Sequence, residues 1–134
     1  AQAPVAMTAH IVYTAWDREN PATQSPFVIH EIVRQRIGFA GLLLSDDLDM
    51  EALSGTVPDR AERAIAAGCD LALNCWARMD DMVGIAERLP AIAADSRARL
   101  DRAMAWVADR RAQADQGTLI ARRDSLLAYA GAAA

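Results

Sequence analysis

The segment Gly41-Leu42-Leu43-Leu44-Ser45-Asp46-Asp47 constrains this chain more than any other, because an apolar run ends abruptly in two carboxylates. Apolar residues on both parities fit a short strand covered on both faces. An anion taken out of water at such a strand end needs hydrogen bonds or a function to offset its desolvation. In parallel α/β folds, the carboxyl ends of strands are where catalytic and ligand-binding groups gather. One of the two aspartates is therefore a candidate for chemistry, with helix capping as the competing use. Side-chain alternation groups Asp46 with Leu42 and Leu44 and leaves Asp47 free to cap the turn that follows.

The rest of the chain supplies a context for that strand. Residues 4–13 read as a mostly buried strand in which Thr8 and His10 are the polar side chains, and Thr14–Gln24 reads as a loop with an Asn20-Pro21 turn. Ser25-Pro26 is an N-cap followed by an N1 proline, so a helix starts there and ends at Gly38. A second helix is expected over Asp59–Gly68, a third strand over Asp70–Cys75, and further helices over Met79–Leu89, Arg97–Ala114 and Leu119–Ala130, with a fraying Ala-rich end. Strand and helix alternate through the first 90 or so residues, which predicts the α/β class with parallel strands and crossover helices. Three such strands with helices on one side leave the other sheet face bare. The pattern is that of a part of a larger α/β protein.

Composition narrows the function classes. The chain has 134 residues, 53% hydrophobic and 24% charged, the mix of a globular domain and not of a disordered chain or a disulfide scaffold. Net charge is −4, so no global basic field recruits nucleic acid. All 14 basic residues are arginines, which excludes a Schiff-base or P-loop lysine within the chain. No apolar run approaches the roughly 18 residues of a membrane span, so no membrane partner is expected. Cys69 and Cys75 form no disulfide or metal framework and read as small buried hydrophobes. The acidic cluster Asp46, Asp47, Asp49, Glu51 lacks the glycine and downstream Glu of a calcium loop, so neither metal nor cofactor is expected. His10 and Trp16 are weak candidates for substrate contact, and Trp76 for the rim of a site. His30 and the arginine-rich stretch from Arg97 to Arg123, interleaved with aspartates, read as solvated surface, and Trp106 as helix packing.

Met7-Thr8-Ala9-His10, Ala22-Thr23-Gln24-Ser25-Pro26, Gly38-Phe39-Ala40-Gly41-Leu42-Leu43-Leu44-Ser45-Asp46-Asp47-Leu48 and Ala67-Gly68-Cys69-Asp70-Leu71 follow one another as landmarks. Together they resemble glycoside hydrolase family 3, and within it the bacterial β-N-acetylglucosaminidase (β-N-acetylhexosaminidase) branch of peptidoglycan recycling. The resemblance implies a (β/α)8 barrel of which residues 1–115 supply about the last three βα units, with 116–134 as a helical tail. It makes Asp46 the nucleophile of a retaining mechanism on N-acetylglucosaminides, and it implies a cytoplasmic enzyme. The branch's Lys-His-Phe-Pro-Gly-His-Gly segment and the Asp-His pair of its acid/base loop belong upstream of the part matched here. The expectation is thus a fragment of the enzyme, inactive alone, that pairs through open sheet edges with the upstream barrel half or with a second copy. The alternative class is a non-catalytic assembly module.

Overall fold

The computed structural model describes residues 3–111 and 115–132. Three strands, β1 (Val5–Met7), β2 (Leu42–Asp47) and β3 (Leu71–Leu73), form a parallel sheet in the order β1-β2-β3. Val5, Ala6 and Met7 lie opposite Leu42, Leu43 and Leu44, and Leu44 lies opposite Leu71. A helix over Val28–Arg36 connects β1 to β2, and α1 (Val57–Ala67) connects β2 to β3. Two successive strand–helix–strand units result, as the alternating pattern predicts. Further along come α2 (Met79–Arg88), α3 (Ala94–Arg111) and α4 (Gln116–Ala132). The expected extension of the penultimate helix to Ala114, and the final residues of the Ala-rich end, lie outside the described residues.

The connecting helices follow from their caps and apolar spacing. The Ser25 hydroxyl accepts the Val28 amide at 3.1 Å, as an N-cap ahead of Pro26 should. The helix then winds in wide turns: the Ile37 amide reaches back five residues to the Ile32 carbonyl at 2.9 Å. At the start of α1, Thr56 and Asp59 form a reciprocal capping box, with Pro58 in the first turn. Gly68 ends α1 at φ 114°, where its amide returns to Ala64 and Ile65. Ile29, Leu43, Leu48, Val57, Ala61 and Ala64 form the buried core between these two helices and one face of the sheet. Gly41 is needed for close approach: a Cβ there would sit 2.6 Å from Phe39 Cζ and 2.7 Å from the Pro4 carbonyl oxygen.

Two expectations are corrected. The first strand stops at Met7 instead of running to Tyr13, and Ile11, Val12 and Tyr13 are exposed. Beyond Thr8, whose amide still reaches Leu44, the carbonyls of Ala9 and Ile11 accept from Thr23 and Ala22 in the 3-10 turn Ala22–Gln24. The chain thus pairs with its own loop and no longer with β2. Cys69 is buried as expected, with burial first among the causes that push its thiol up to about 12. Cys75 is exposed, because β3 ends at Leu73 and Cys75 lies in the loop beyond it.

The described structure divides between Ala103 and Met104 into two compact units. Within the second, Asp115 caps α4 by accepting from Thr118 and Gly117, and Leu119, Leu126, Leu127 and Tyr129 are exposed. Among the described residues no helix is long and apolar enough to cross a membrane.

Within the first unit, Asp70 is the polar centre. Its side chain is 1% exposed, yet it accepts from the Leu43 amide at 2.8 Å and from Arg34, Ser96 and Arg99 at 2.7 Å each. Arg34 also donates to the carbonyls of Phe39 and Gly41, so one carboxylate fastens β2, β3, the first helix and the start of α3. Asp70→Ala should lower stability by about 3–5 kcal/mol, the cost of stranding a buried partner, as read by chemical denaturation. Burial raises the Asp70 carboxyl, but the hydrogen bonds from Ser96, Leu43 and Arg99 outweigh it and leave it below the usual carboxylate range. The unfolded chain therefore takes up this proton more readily than the folded one. Its contribution is complete above about pH 4 and is lost as pH falls through the folded-state value. Thermal scans should show a Tm that drops on acidification below about pH 4, with a shallower drop in Asp70→Asn.

Candidate active site

Because the three strands are parallel, their carboxyl ends share one edge of the sheet, where the loops after β1, β2 and β3 meet. The end of β2 is irregular. Between the Leu44–Leu71 and Asp47–Leu73 pairs, β2 carries one more residue than β3, so Ser45 and Asp46 occupy a bulge. Ser45 is fully buried, and its hydroxyl accepts the Leu73 amide at 2.9 Å, replacing the carbonyl that a regular ladder would supply. The bulge also ends simple alternation, so parity with Leu42 and Leu44 does not by itself fix the direction of Asp46.

The acidic residues of this end have different employments. Asp47 Oδ1 accepts the Asp49 amide at 3.2 Å and the Cys75 amide at 3.1 Å, which joins capping of its own turn to a tie across to the next loop. Burial raises its carboxyl and these amide bonds more than reverse the effect, so Asp47 is held below the usual range. Asp49, whose side chain is 1% exposed, accepts the Trp76 amide at 3.0 Å and faces Arg78 Nη2 at 3.5 Å. Glu51 is exposed. Asp46 is half-buried, and among the described residues it accepts only the next amide of its own chain, Asp47 N, at 2.8 Å. Among the described residues it is tied to no neighbouring loop.

His10, the second candidate from the sequence, lies at the same strand ends. Its Nε2 is 2.9 Å from the Asp47 carbonyl and its Nδ1 is 2.8 Å from the Thr23 hydroxyl. Trp16, the third, stands elsewhere: it packs on Tyr13 with ring centroids 5.5 Å apart and lines an apolar groove of about 390 Å³ along β1, with Met7, Val28 and Ile32. His30 is exposed, as expected. The Arg78 guanidinium carbon lies 5.1 Å from the centre of the Trp76 ring, and the two side chains line a cavity of about 590 Å³ beside Asp47, Asp49 and Arg60.

The structure adds residues that sequence reasoning passed over. Thr23 is fully buried and joins the Thr8 hydroxyl at 2.9 Å. Its one signal in the sequence is a β-branched polar residue two positions before the Ser25 N-cap. Asp49 and Asn74 shape the loop after β3. Asn74 Oδ1 accepts the Ala77 amide at 2.8 Å, where Ala77 adopts φ 51°. Nothing in the sequence distinguishes a carboxylate that will bind another loop's backbone.

The chemistry open to this end is that of a carboxylate. Partial desolvation and the carboxylates of Asp47, Asp49 and Asp46 push the Cys75 thiol up, which disfavours a thiolate nucleophile. Among the described residues no group of three or more His, Cys, Asp or Glu side chains is placed to hold a metal ion. Asp46, on a rigid strand end and not consumed by loop bonds, is fitted to attack or to stabilise a developing positive centre.

Comparison with known proteins identifies the family. Residues 1–109 match the profile described as the glycosyl hydrolase family 3 N terminal domain. A beta-hexosaminidase of Aromatoleum aromaticum is 44% identical over 98 residues, which are 71% of this chain and 27% of that protein. A glycoside hydrolase family 3 β-N-acetylglucosaminidase from Paenibacillus sp. str. FPU-7 superposes with TM-score 0.59 and 28% identity, covering 81% of this chain and 22% of that one. The β-N-acetylglucosaminidase from Thermotoga maritima gives TM-score 0.52 and 26% identity over 84% of this chain and 26% of its own. The chain spans about a quarter of the length of these relatives, and over that span it belongs to glycosyl hydrolase family 3.

Proposed function

We propose that this chain is the nucleophile-bearing part of a retaining β-N-acetylglucosaminidase acting on peptidoglycan-derived sugars in the cytoplasm. The observation that carries the reading is the division of labour at the end of β2: Asp47 and Asp49 are spent on the neighbouring loop, and Asp46 is not. In a retaining hydrolysis, the ionised Asp46 carboxylate attacks the anomeric carbon as the leaving oxygen takes a proton from an acid. A covalent glycosyl-enzyme forms, and water, activated by the same acid/base, releases the sugar with its configuration retained.

The acid/base and most sugar contacts of the branch belong to an upstream segment, so this chain is read as about three of the eight βα units of a barrel, which typically takes about 250 residues. The apolar groove along β1, with Met7 and Ile37 exposed, favours a surface that the remainder of the parent covers. Alone, the chain should self-associate and bind a dye for apolar surface; a sharp monomer by light scattering with no dye binding counts against the fragment reading.

The enzymatic test uses a chromogenic aryl N-acetyl-β-glucosaminide. The parent-length protein should turn it over, and Asp46→Ala should lower kcat by a factor on the order of 10⁴. Added azide should then restore glycosyl transfer by taking the place of the missing nucleophile. Full activity in Asp46→Ala sinks the assignment. The 134-residue chain by itself should show no turnover, because general acid catalysis worth roughly 10²–10⁴-fold is lacking.

A further inference from the structure

Of the polar groups at the strand ends, His10 is the one whose bonding leaves the fewest alternatives. A carbonyl oxygen only accepts, so the Nε2 that faces the Asp47 carbonyl at 2.9 Å carries a proton whenever that bond is made. In the neutral ring Nδ1 is then an acceptor, and the Thr23 hydroxyl, 2.8 Å away, donates to it. With its proton so committed, the Thr23 oxygen accepts from the Thr8 hydroxyl at 2.9 Å. Thr23 is fully buried, and its backbone amide is fixed to the Ala9 carbonyl at 3.2 Å. Two hydroxyls in series thus select one tautomer and hold the ring in place.

The carbonyl that His10 grips sits at a sensitive point. It also accepts the Met50 amide at 3.2 Å, and at the other end of the same peptide unit the Leu48 amide donates to Leu73 at 2.9 Å. The unit after Asp47 is therefore held at both ends. The amide before it, Asp47 N–H, is the group that orients the Asp46 carboxylate. Both ring nitrogens are engaged, so neither is left over for a ligand.

We infer that His10 is a positioning residue: through Nε2–H it anchors the Asp47 carbonyl, and so fixes the strand end that aims Asp46. The inference rests on Asp46 as nucleophile. Its physical basis is that a carboxylate displaced by about 1 Å from the line of attack loses about 10²-fold in rate.

Three substitutions test it. Gln places an amide N–H near the position of Nε2, whereas Asn reaches only as far as Nδ1. In the parent-length enzyme, H10A and H10N should lower kcat about 10–100-fold with KM changed by less than about twofold, and H10Q should recover most of the loss. In the same parent-length enzyme, labelled with nitrogen-15 at histidine, long-range proton–nitrogen NMR should show neutral His10 protonated at Nε2 and bare at Nδ1. Amide exchange at Leu48 and Met50 should accelerate in H10A and not in H10Q.

A raised KM with unchanged kcat would make His10 a substrate contact and overturn the inference. So would rescue by Asn but not Gln, or a neutral ring protonated at Nδ1. Turnover lost in D46A but untouched in H10A overturns the inference and leaves the nucleophile standing. Turnover kept in D46A removes the nucleophile reading and, with it, this role for His10. The NMR arm needs no activity, so it reports the His10 bond in either event.

Discussion

The buried carboxylate of Asp70 is the contact on which the first unit depends. It stands just before β3, yet its oxygens are spent elsewhere: on the Leu43 amide of β2, on Arg34 of the first helix, and on Ser96 and Arg99 of α3. Its own amide donates to the Leu43 carbonyl at 2.8 Å, so Leu43 and Asp70 are joined in both directions. β1 and β3 span only three residues each and contribute few ladder bonds. Sheet pairing that short is marginal on its own, and a charge-assisted knot where the strands begin supplies the fastening that strand length does not. Gly68 makes the knot reachable, because its left-handed turn brings Cys69 and Asp70 sharply off the end of α1.

With the beginnings of the strands tied down, their far ends are free to be irregular. A bulge costs a ladder bond, and here the Ser45 hydroxyl takes up the Leu73 amide that would otherwise be unpaired. Beyond it the loops after β2 and β3 bind each other through carboxylate-to-amide bonds from Asp47 and Asp49. Fixed backbone around one loosely held carboxylate is the arrangement that preorganised chemistry requires.

Much of this was legible in the sequence and some was not, for identifiable reasons. The helix starting at Ser25-Pro26 and the apolar strand at Leu42 follow from local rules that the structure obeys, because N-caps and short apolar runs act over a few residues. The first strand is shorter than its pattern suggests, since the apolar residues Ile11, Val12 and Tyr13 satisfy a strand pattern whether or not a partner exists beside them. The bulge was not visible, because register belongs to a pair of strands and one strand's spelling does not hold it. At the candidate site the carboxylate pair was plain, and His10 stood out as a polar side chain in an apolar run. That His10 binds the Asp47 carbonyl, and that Thr23 stands behind it, depends on contacts across 37 and 13 residues of sequence that no local pattern records.

Asp70 and Asp46 are the same residue type at opposite ends of neighbouring strands, and comparing them shows how structure assigns roles that sequence cannot. Asp70 collects four donors, is almost fully buried, and has no valency left for a ligand. Asp46 is half-buried and has one amide, from the adjacent residue. An ionised carboxylate can accept about four hydrogen bonds, so the first is saturated and the second far from it. A saturated carboxylate is stabilised in its place and poor at leaving it, and an unsaturated one beside fixed backbone keeps its reactivity for whatever enters the site. The Thr8–Thr23–His10 chain serves the second kind of residue with the bonding logic of the first: both hydroxyl protons and both ring nitrogens in it are used, and the Asp46 carboxylate keeps most of its acceptor sites open.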